Sequence, residues 1–548
     1  MAQGYENYSY TKLYNFGIHD LWLNRISRTI FRPIYAKDIS MSWIVKLKKL
    51  FFYSIFNLPA VLYYLKLTIA RYLAKARINN YSLSAGQAKD FISKVAGIDK
   101  ISIHFYNHHL CHAASAYYFS PFNKEKAISF VLDGYGDDGF SSVYKFNGVN
   151  HELISQSPSH IIKVGKKQHL TSVGFIYSNF TEALGLMPNS DEGKVEALAA
   201  FSTERNLPLY DKLVRSTLIS KDGISFDLDE IIYFYDINFL RKTICIIGKE
   251  NFAQVVQSWL EDTNVTYLNL IYQEHPIDRL CLSGGVMANI ILNLNIYERT
   301  PFNFMHVFPA IGDDGVAAGA AILNALDHGQ NVSWLSTIMM PYFGPGISKA
   351  SVFEELTKHR NLECVDLHDE WPQHAAQALV DKRVIAIVHG KMEFRPRALG
   401  NRSIVANAMD ANSTSKINST IKRRPHYQPF CPSILEEERL KLFDNSFKHK
   451  HMAIAFRMRP EYVEKLPCAV HVDGTARPQF VEEGDNPMFY KLLKSFKELT
   501  GFGVVINTSF NLHGRTIVGT AKDAITDFND CGIDYLYIEG ILIRHNNH

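Results

Sequence analysis

Several things are scarce in this chain, and each scarcity removes a class of protein. Its seven cysteines, Cys111, Cys245, Cys281, Cys364, Cys431, Cys468 and Cys531, are odd in number and contain no C-x-x-C pair. That pattern argues against a disulfide framework and a zinc knuckle, and it fits a reducing, cytoplasmic compartment. No apolar signal core follows a basic start in the first thirty residues, so secretion is not expected. Charge of one sign is scarce as well. A net charge of +3 over 548 residues gives no reason to expect a polyanion-binding surface, and nucleic acid is not among the expected partners. An unbroken run of about twenty apolar residues, which a transmembrane span needs, is also missing. "LFFYSIFNLPAVLYYLKLTIARYL" comes nearest, and Asn57, Pro59 and Lys66 interrupt it. What this region lacks instead is acid, for no Asp or Glu occurs between Asp38 and Asp90. Its plainer reading is helices packed on their own domain with lysines at the rim; the alternative is a weak membrane-surface contact through 41–77. There is no internal repeat, which excludes a solenoid. The length exceeds what one core usually supports and calls for two or more domains.

What is present carries chemistry. "YNHHLCHAASAYYFSPF" (106–122) puts His108 and His112 four apart, so on a helix they project from one face, one turn apart. Two imidazoles so placed can grip one cation; alone, the pair reads equally as core or surface histidine. "KAISFVLDGYGDDGFSSVYKF" reads as a hairpin whose Gly/Asp turn follows Asp133. "DRLCLSGGVMANIILNLNIY" reads as a strand, a glycine turn and a helix, and "FPAIGDDGVAAGAAILNAL" repeats that grammar around Asp313. Turns whose amides converge at a helix start suit phosphate or nucleotide. Two histidines with Asp133 and Asp313 form a mixed nitrogen and oxygen set suited to iron, manganese or zinc. Asp137, Asp138 and Asp314 read as turn residues that cap their own backbone. After Asn331 the turn-rich "WLSTIMMPYFGPGIS" begins a second domain, in which "RVIAIVHG" and "GFGVVINTSFN" give strands.

In order along the chain stand "NHHLCHAASAYYFSPF", "VLDGYG", "PNSDEGKVEALAAF", "LSGGVMAN", "FPAIGDDGVAAGAA", "MEFRPRALGNRSIVAN", "INSTIKRRPHYQPFCPSIL", "HVDGTARPQ", "DNPMFYKLL" and "NTSFNLHG". Through these motifs the chain resembles the O-carbamoyltransferases of the nodulation-protein and cephamycin/tobramycin carbamoyltransferase family. The resemblance implies an α/β fold, with a Kae1-like domain of the actin/hexokinase/Hsp70 type (1–335) followed by a YrdC-like domain (346–548). It also implies a two-step reaction. Carbamoyl phosphate and ATP give carbamoyl-adenylate in the second domain, and the first moves the carbamoyl group to a hydroxyl of a small molecule or glycan. Carbamoyl-adenylate hydrolyses readily, so a closed path between the two sites would protect it.

By motif, the resemblance gives His108, His112, Asp133 and Asp313 to a divalent metal, iron in this group, with Mg2+ accompanying ATP. Gly284, Gly285 and Asn289 match an adenosine-side turn. Glu192 and Lys194 match an S-D-E-G-K pattern in which Lys194 neutralises phosphate or is a solvated helix lysine. In the second domain Arg397, Arg402, Lys422 and Arg477 are donors for phosphate oxygens. Ser509 and Asn511, with Asn507, are to hold the carbamoyl end. Four departures stand against the pattern: residues 1–40 lack the family's G-I-S-x-x-H-D-A-S-A hairpin, Arg395 replaces a glycine, Gln428 replaces an arginine, and Arg515-Thr516 stands where Glu-Pro is usual. Arg395 is expected to restore the charge that Gln428 removes. For the hairpin, a remodelled N-terminus, a partner chain supplying the edge and a degenerate enzyme all stay open. So does a homo-oligomer. The alternative to an O-carbamoyltransferase is a nucleotide- and metal-binding regulator or inactive scaffold of the same fold.

Overall fold

Helix α1 (His108–Tyr118) begins where Asn107 Oδ1 accepts a hydrogen bond from Leu110 N at 3.0 Å and Asp137 Oδ2 accepts one from His108 N at 2.7 Å. Both oxygens satisfy amides that the start of a helix leaves open. Asp137, read as a cap of its own turn, thus anchors the helix that carries the histidine pair. The computed structural model describes residues 102 and 104–546 apart from 166, 204–205, 396 and 423–426. The basic apolar segment 41–77 and the atypical first forty residues lie outside the described residues.

The fold is mixed α/β. Strands β1 (Lys126–Leu132) and β2 (Gly139–Asn147) form the expected hairpin, and β3 (Asn150–Pro158) continues it. On the other side of β1, β4 (Arg279–Ser283) and β5 (Phe304–Val307) add in parallel, giving the order β3-β2-β1-β4-β5. Every residue of β1 after Lys126 is buried, as a strand covered on both faces requires. Its alternate residues divide between two cores. Ile128, Phe130 and Leu132 pack in the core that includes Trp259 and Tyr267 of the long helix α3 (Lys249–Glu274), reached in the chain after α2 (Glu192–Ala199). Ala127 and Val131 pack with Cys111, Ala114 and Tyr117 of α1. Helix α1 is pinned to the sheet by two hydroxyls. Ser129 Oγ of β1 donates to Ala113 O at 3.2 Å, and Ser283 Oγ of β4 donates to His112 O at 3.0 Å.

Both strand-turn-helix segments form as read. After β4 the glycine turn leads into α4 (Ile290–Arg299), and after β5 another leads into α5 (Val316–Asp327). Gly319 of α5 meets α1 at its backbone, because a Cβ there would lie 1.8 Å from Cys111 O. Only glycine permits that approach.

The remainder builds an eight-stranded sheet. It comprises β6 (Leu362–Asp366), β7 (Ile385–Val388), β8 (Arg402–Asn407), β9 (Cys431–Leu435), β10 (Gln479–Val481), β11 (Val504–Ser509), β12 (Tyr535–Ile538) and β13 (Ile541–His545). Their order is β6-β13-β12-β7-β8-β11-β9-β10. Helices α6 (Trp371–Val380) and α7 (Pro487–Thr500) cover one face through Trp371, Leu379, Phe489 and Leu493. Both sheets belong to one compact unit, Tyr106–His548, and the core that holds Ile128 of β1 also takes in Ile404 of β8 and Ile543 of β13. Asn293 of α4 crosses between them, its Nδ2 donating to Ala453 O at 2.7 Å. All seven cysteines are free. No described helix is long and apolar enough to cross a membrane.

Candidate active site

Helix α1 delivers both imidazoles to one point. His108 Nε2 lies 3.1 Å from Asp133 Oδ2 and 3.5 Å from Asp313 Oδ1, and His112 Nε2 lies 3.3 and 3.6 Å from the same two atoms. One ligand atom from each of the four residues falls within 4.8 Å of all the others. Asp133 reaches the point from the end of β1, and Asp313 from the turn before α5. The Asp133 carboxylate is held from behind, since its Oδ1 accepts from Gly134 N at 2.7 Å and from Gly285 N at 3.2 Å. His109 takes no part. It faces away, with Nδ1 2.8 Å from Ser142 Oγ, and burial pushes it down to about 3.

The donor set fits a divalent cation. His112 is fully buried, yet neither of its ring nitrogens makes a hydrogen bond. Such orphaned atoms are rare in folded proteins unless something else satisfies them. Burial alone would lower His112, but Asp133 and Asp313 carry it up to about 9. Asp133 goes the other way: burial opposes its charge, and the two imidazoles nevertheless hold it well below the usual carboxylate range. Three of the ligands are largely enclosed and the fourth faces solvent, for the Asp313 side chain is 76% exposed and that of Asp133 only 13%.

A second concentration of charge lies in a cavity of about 170 Å³. The eight-stranded part contributes Arg397, Lys422, Arg477, Asn507, Ser509 and Asn511; Gly193 and Glu196 of α2 and Ile290 and Ile291 of α4 form the opposite wall. The Arg477 charge, then burial, pushes Arg397 down to about 10. Two guanidinium groups so close call for an anion between them. Lys422 Nζ is committed to the adjoining turn, donating to Ser509 O at 2.6 Å and Asn511 Oδ1 at 2.8 Å.

The structure redistributes several expected roles. Arg402 does not line the cavity. Its guanidinium is buried and donates to the carbonyls of His389, Asn401, Pro345 and Gly390. Lys194 also stands off the cavity and pairs with Asp191 at 2.9 Å. Ser509 and Asn511 line it, but Ser509 Oγ donates to Asn511 Oδ1 and Asn511 Nδ2 donates to Arg515 O, so both already use their donors. Gly284 approaches Leu132 O, Gly285 supports Asp133, and Asn289 caps α4 while donating to Gln257. Gln428 lines the cavity, whereas the Arg395 guanidinium lies behind it, donating to His451 O, with its charge felt by Arg397 and Arg477.

Two cavity residues escaped the sequence. Glu196, whose Oε1 accepts from Ile291 N at 2.9 Å, is raised by burial against the pull of Arg477 and Arg397. Its spacing from Glu192, one helical turn, was the available signal. His471 belongs to the "HVDGTARPQ" motif and has a buried Nε2 without a partner.

Comparison with known proteins gives a consistent picture. The family described as Carbamoyltransferase N-terminus matches residues 32–322, and Carbamoyltransferase C-terminus matches residues 376–545. The chain is 53% identical over 450 residues to Methanocaldococcus jannaschii MJ1058, covering 81% of this chain and 74% of that protein. It is 31% identical over 446 residues to Nodulation protein NolO of Bradyrhizobium diazoefficiens, covering 80% and 78%. It is 32% identical over 250 residues to the 3'-hydroxymethylcephem-O-carbamoyltransferase of Streptomyces clavuligerus, covering 45% of each.

Proposed function

The chain belongs to the carbamoyltransferase family, and from that premise we propose that it is an ATP-dependent O-carbamoyltransferase. In this reading carbamoyl phosphate, ATP and water give carbamoyl-adenylate, phosphate and pyrophosphate at the cationic cavity. The carbamoyl group then passes to a hydroxyl of a sugar, glycan or secondary metabolite, with release of AMP and a proton. The observation that carries it is the pairing, in one compact unit, of a four-ligand cluster with a cavity built around two arginines. A Kae1-like part ending near residue 335 would hold the cluster, and a YrdC-like part from 346 would supply the cationic side of the cavity, with α2 and α4 of the first part closing it.

Arg397 and Arg477 would bind the oxyanions of carbamoyl phosphate and stabilise charge that moves between phosphoryl oxygens. Lys422, by fixing the Ser509–Asn511 turn, holds the floor of the cavity in shape. His108, His112, Asp133 and Asp313 would hold the divalent cation, with iron the reading favoured from the resemblance. That cation would supply a Lewis acid and a lowered pKa for the acceptor hydroxyl. The acceptor would approach on the side of Asp313, the exposed ligand of the cluster.

The test is to incubate the protein with carbamoyl phosphate and labelled ATP and to follow pyrophosphate and AMP. Arg397→Ala should abolish pyrophosphate release, whereas His112→Ala should retain it and lose transfer to an acceptor. Equal loss of both half-reactions in the two variants contradicts the division. No turnover at all, with nucleotide and metal still bound, leaves the regulator reading in its place.

A further inference from the structure

Among the seven cysteines, Cys431 stands in surroundings of its own. Burial pushes Cys111 and Cys531 up to about 12 and also raises Cys281 and Cys468, while Cys245 and Cys364 sit on the surface. Cys431 fits neither group. It keeps 8% exposure and lines the cationic cavity, and its Sγ accepts a hydrogen bond from Arg477 Nε at 3.0 Å. The strand register makes that contact. β9 and β10 run parallel with Ser433 beside Gln479, so two residues earlier Cys431 comes beside Arg477.

One side of the cysteine packs with Met340, Leu399 and Met452, which any small apolar residue would do as well. The cationic side has no such explanation. Charge on the sulfur is felt by Arg395, Arg397 and Arg477, and guanidinium groups around a thiol favour its ionised, nucleophilic form. A separate feature calls for an anion at the same place. Arg397 lines the cavity, is only partly exposed, and makes no hydrogen bond or ion pair among the described residues. Enclosed donors of this kind are rare unless a ligand or water completes them. Sulfur and ligand therefore compete for one set of cations.

We propose that Cys431 is a modification site at which a hydroperoxide closes the cavity to oxyanions. The thiolate sulfur attacks one peroxide oxygen, so that an S–O bond forms, the O–O bond breaks, and the departing hydroxide takes a proton to become water. Sulfur is oxidised to sulfenic acid and the peroxide is reduced: Cys–S⁻ + H2O2 + H+ → Cys–SOH + H2O. The added oxygen takes up hydrogen bonds from the guanidinium groups that a phosphate would use. Among the described residues no other cysteine lines the cavity, so the sulfenic acid has no neighbour for a disulfide, and a small thiol returns it to cysteine. This goes beyond the function proposed above, since it concerns what shuts the cavity, whichever reaction occurs there.

The full-length protein is treated with hydrogen peroxide and dimedone, and in parallel with iodoacetate or iodoacetamide, and each cysteine is followed by peptide mass. Cys431 should form the sulfenic adduct ahead of exposed Cys245 and Cys364. Its preference for anionic iodoacetate over neutral iodoacetamide should exceed theirs by roughly tenfold, and pyrophosphate should slow both reactions at Cys431 alone. Peroxide should abolish calorimetric binding of pyrophosphate to wild type, dithiothreitol should restore it, and Cys431→Ala should bind it before and after peroxide. Labelling of Cys431 no faster than at the exposed cysteines, labelling that pyrophosphate does not slow, or equal loss of binding in Cys431→Ala would each overturn the inference. The proposed function fails by a different sign, namely no pyrophosphate release from ATP by the reduced wild type, on which the labelling rates do not depend.

Discussion

The histidine–carboxylate cluster and the cationic cavity are built in opposite ways. Two of the four cluster ligands sit one turn apart on a single eleven-residue helix, and the other two lie in turns directly after strands of the same sheet. The cavity draws its wall from α2, α4 and at least four segments of the eight-stranded part, spanning residues 193 to 511. The first is local geometry repeated at short range; the second exists only once both sheets have assembled. Disturbing one should therefore leave a recognisable signature that disturbing the other does not.

The largest separation is expected from Arg477→Ala. Removing one of the cavity's two coupled guanidinium groups should slow pyrophosphate release by roughly a thousandfold, with metal content by atomic emission unchanged. Gly319→Ala attacks the other region through packing alone. Its Cβ would overlap the backbone of Cys111, so α1 and α5 must separate, at about 3 kcal/mol of stability in urea unfolding; metal content should drop in parallel. Asp133→Asn keeps the shape and removes the shared anionic ligand. Metal affinity should fall by at least roughly 100-fold, since losing even the hydrogen-bond partner of a ligand reaches that much.

The smallest effect concerns the support of the cavity wall. Gln257 Nε2 donates to Glu261 Oε1 at 2.7 Å and also bonds Asn289, the cap of α4. Burial pushes Glu261 up from 4.5 to about 7. The folded protein thus keeps a proton that the unfolded chain gives up near 4.5, and stability should decline as pH rises from there to about 7. Glu261→Gln should flatten that part of the profile, read as urea midpoints across the interval. A cluster insensitive to this change and a cavity that binds phosphate less well would sharpen the contrast.

Legibility in the sequence follows the same division. The His108/His112 spacing, the hairpin around Asp133 and both strand-turn-helix segments depend on periods of two and about four residues, which a sequence displays directly. Arg402 shows the limit. A guanidinium that serves backbone carbonyls and one that awaits phosphate have the same one-letter code, and only the fold reveals that Arg402 is enclosed by residues 345, 389, 390 and 401. Glu196 lay inside a motif already noticed, one turn from Glu192, but nothing in the sequence says that α2 faces the second sheet. The hydrogen bonds from Asn507 to Ser433 and from Ser433 to Gln479 were beyond reach altogether, because strand order brings these residues together over separations of 74 and 46 residues.

The carbonyl clamp of Arg402 bears on traffic between the two regions. One of its four carbonyls, Pro345 O, belongs to the segment that joins the sheets, and Gly344 N and Phe394 N add bonds between that segment and 392–394. That end of the joint is consequently fixed to the eight-stranded part. For the reaction proposed above, this means that the eight-stranded part keeps its grip on residues 341–345 while the carbamoyl group is handed over.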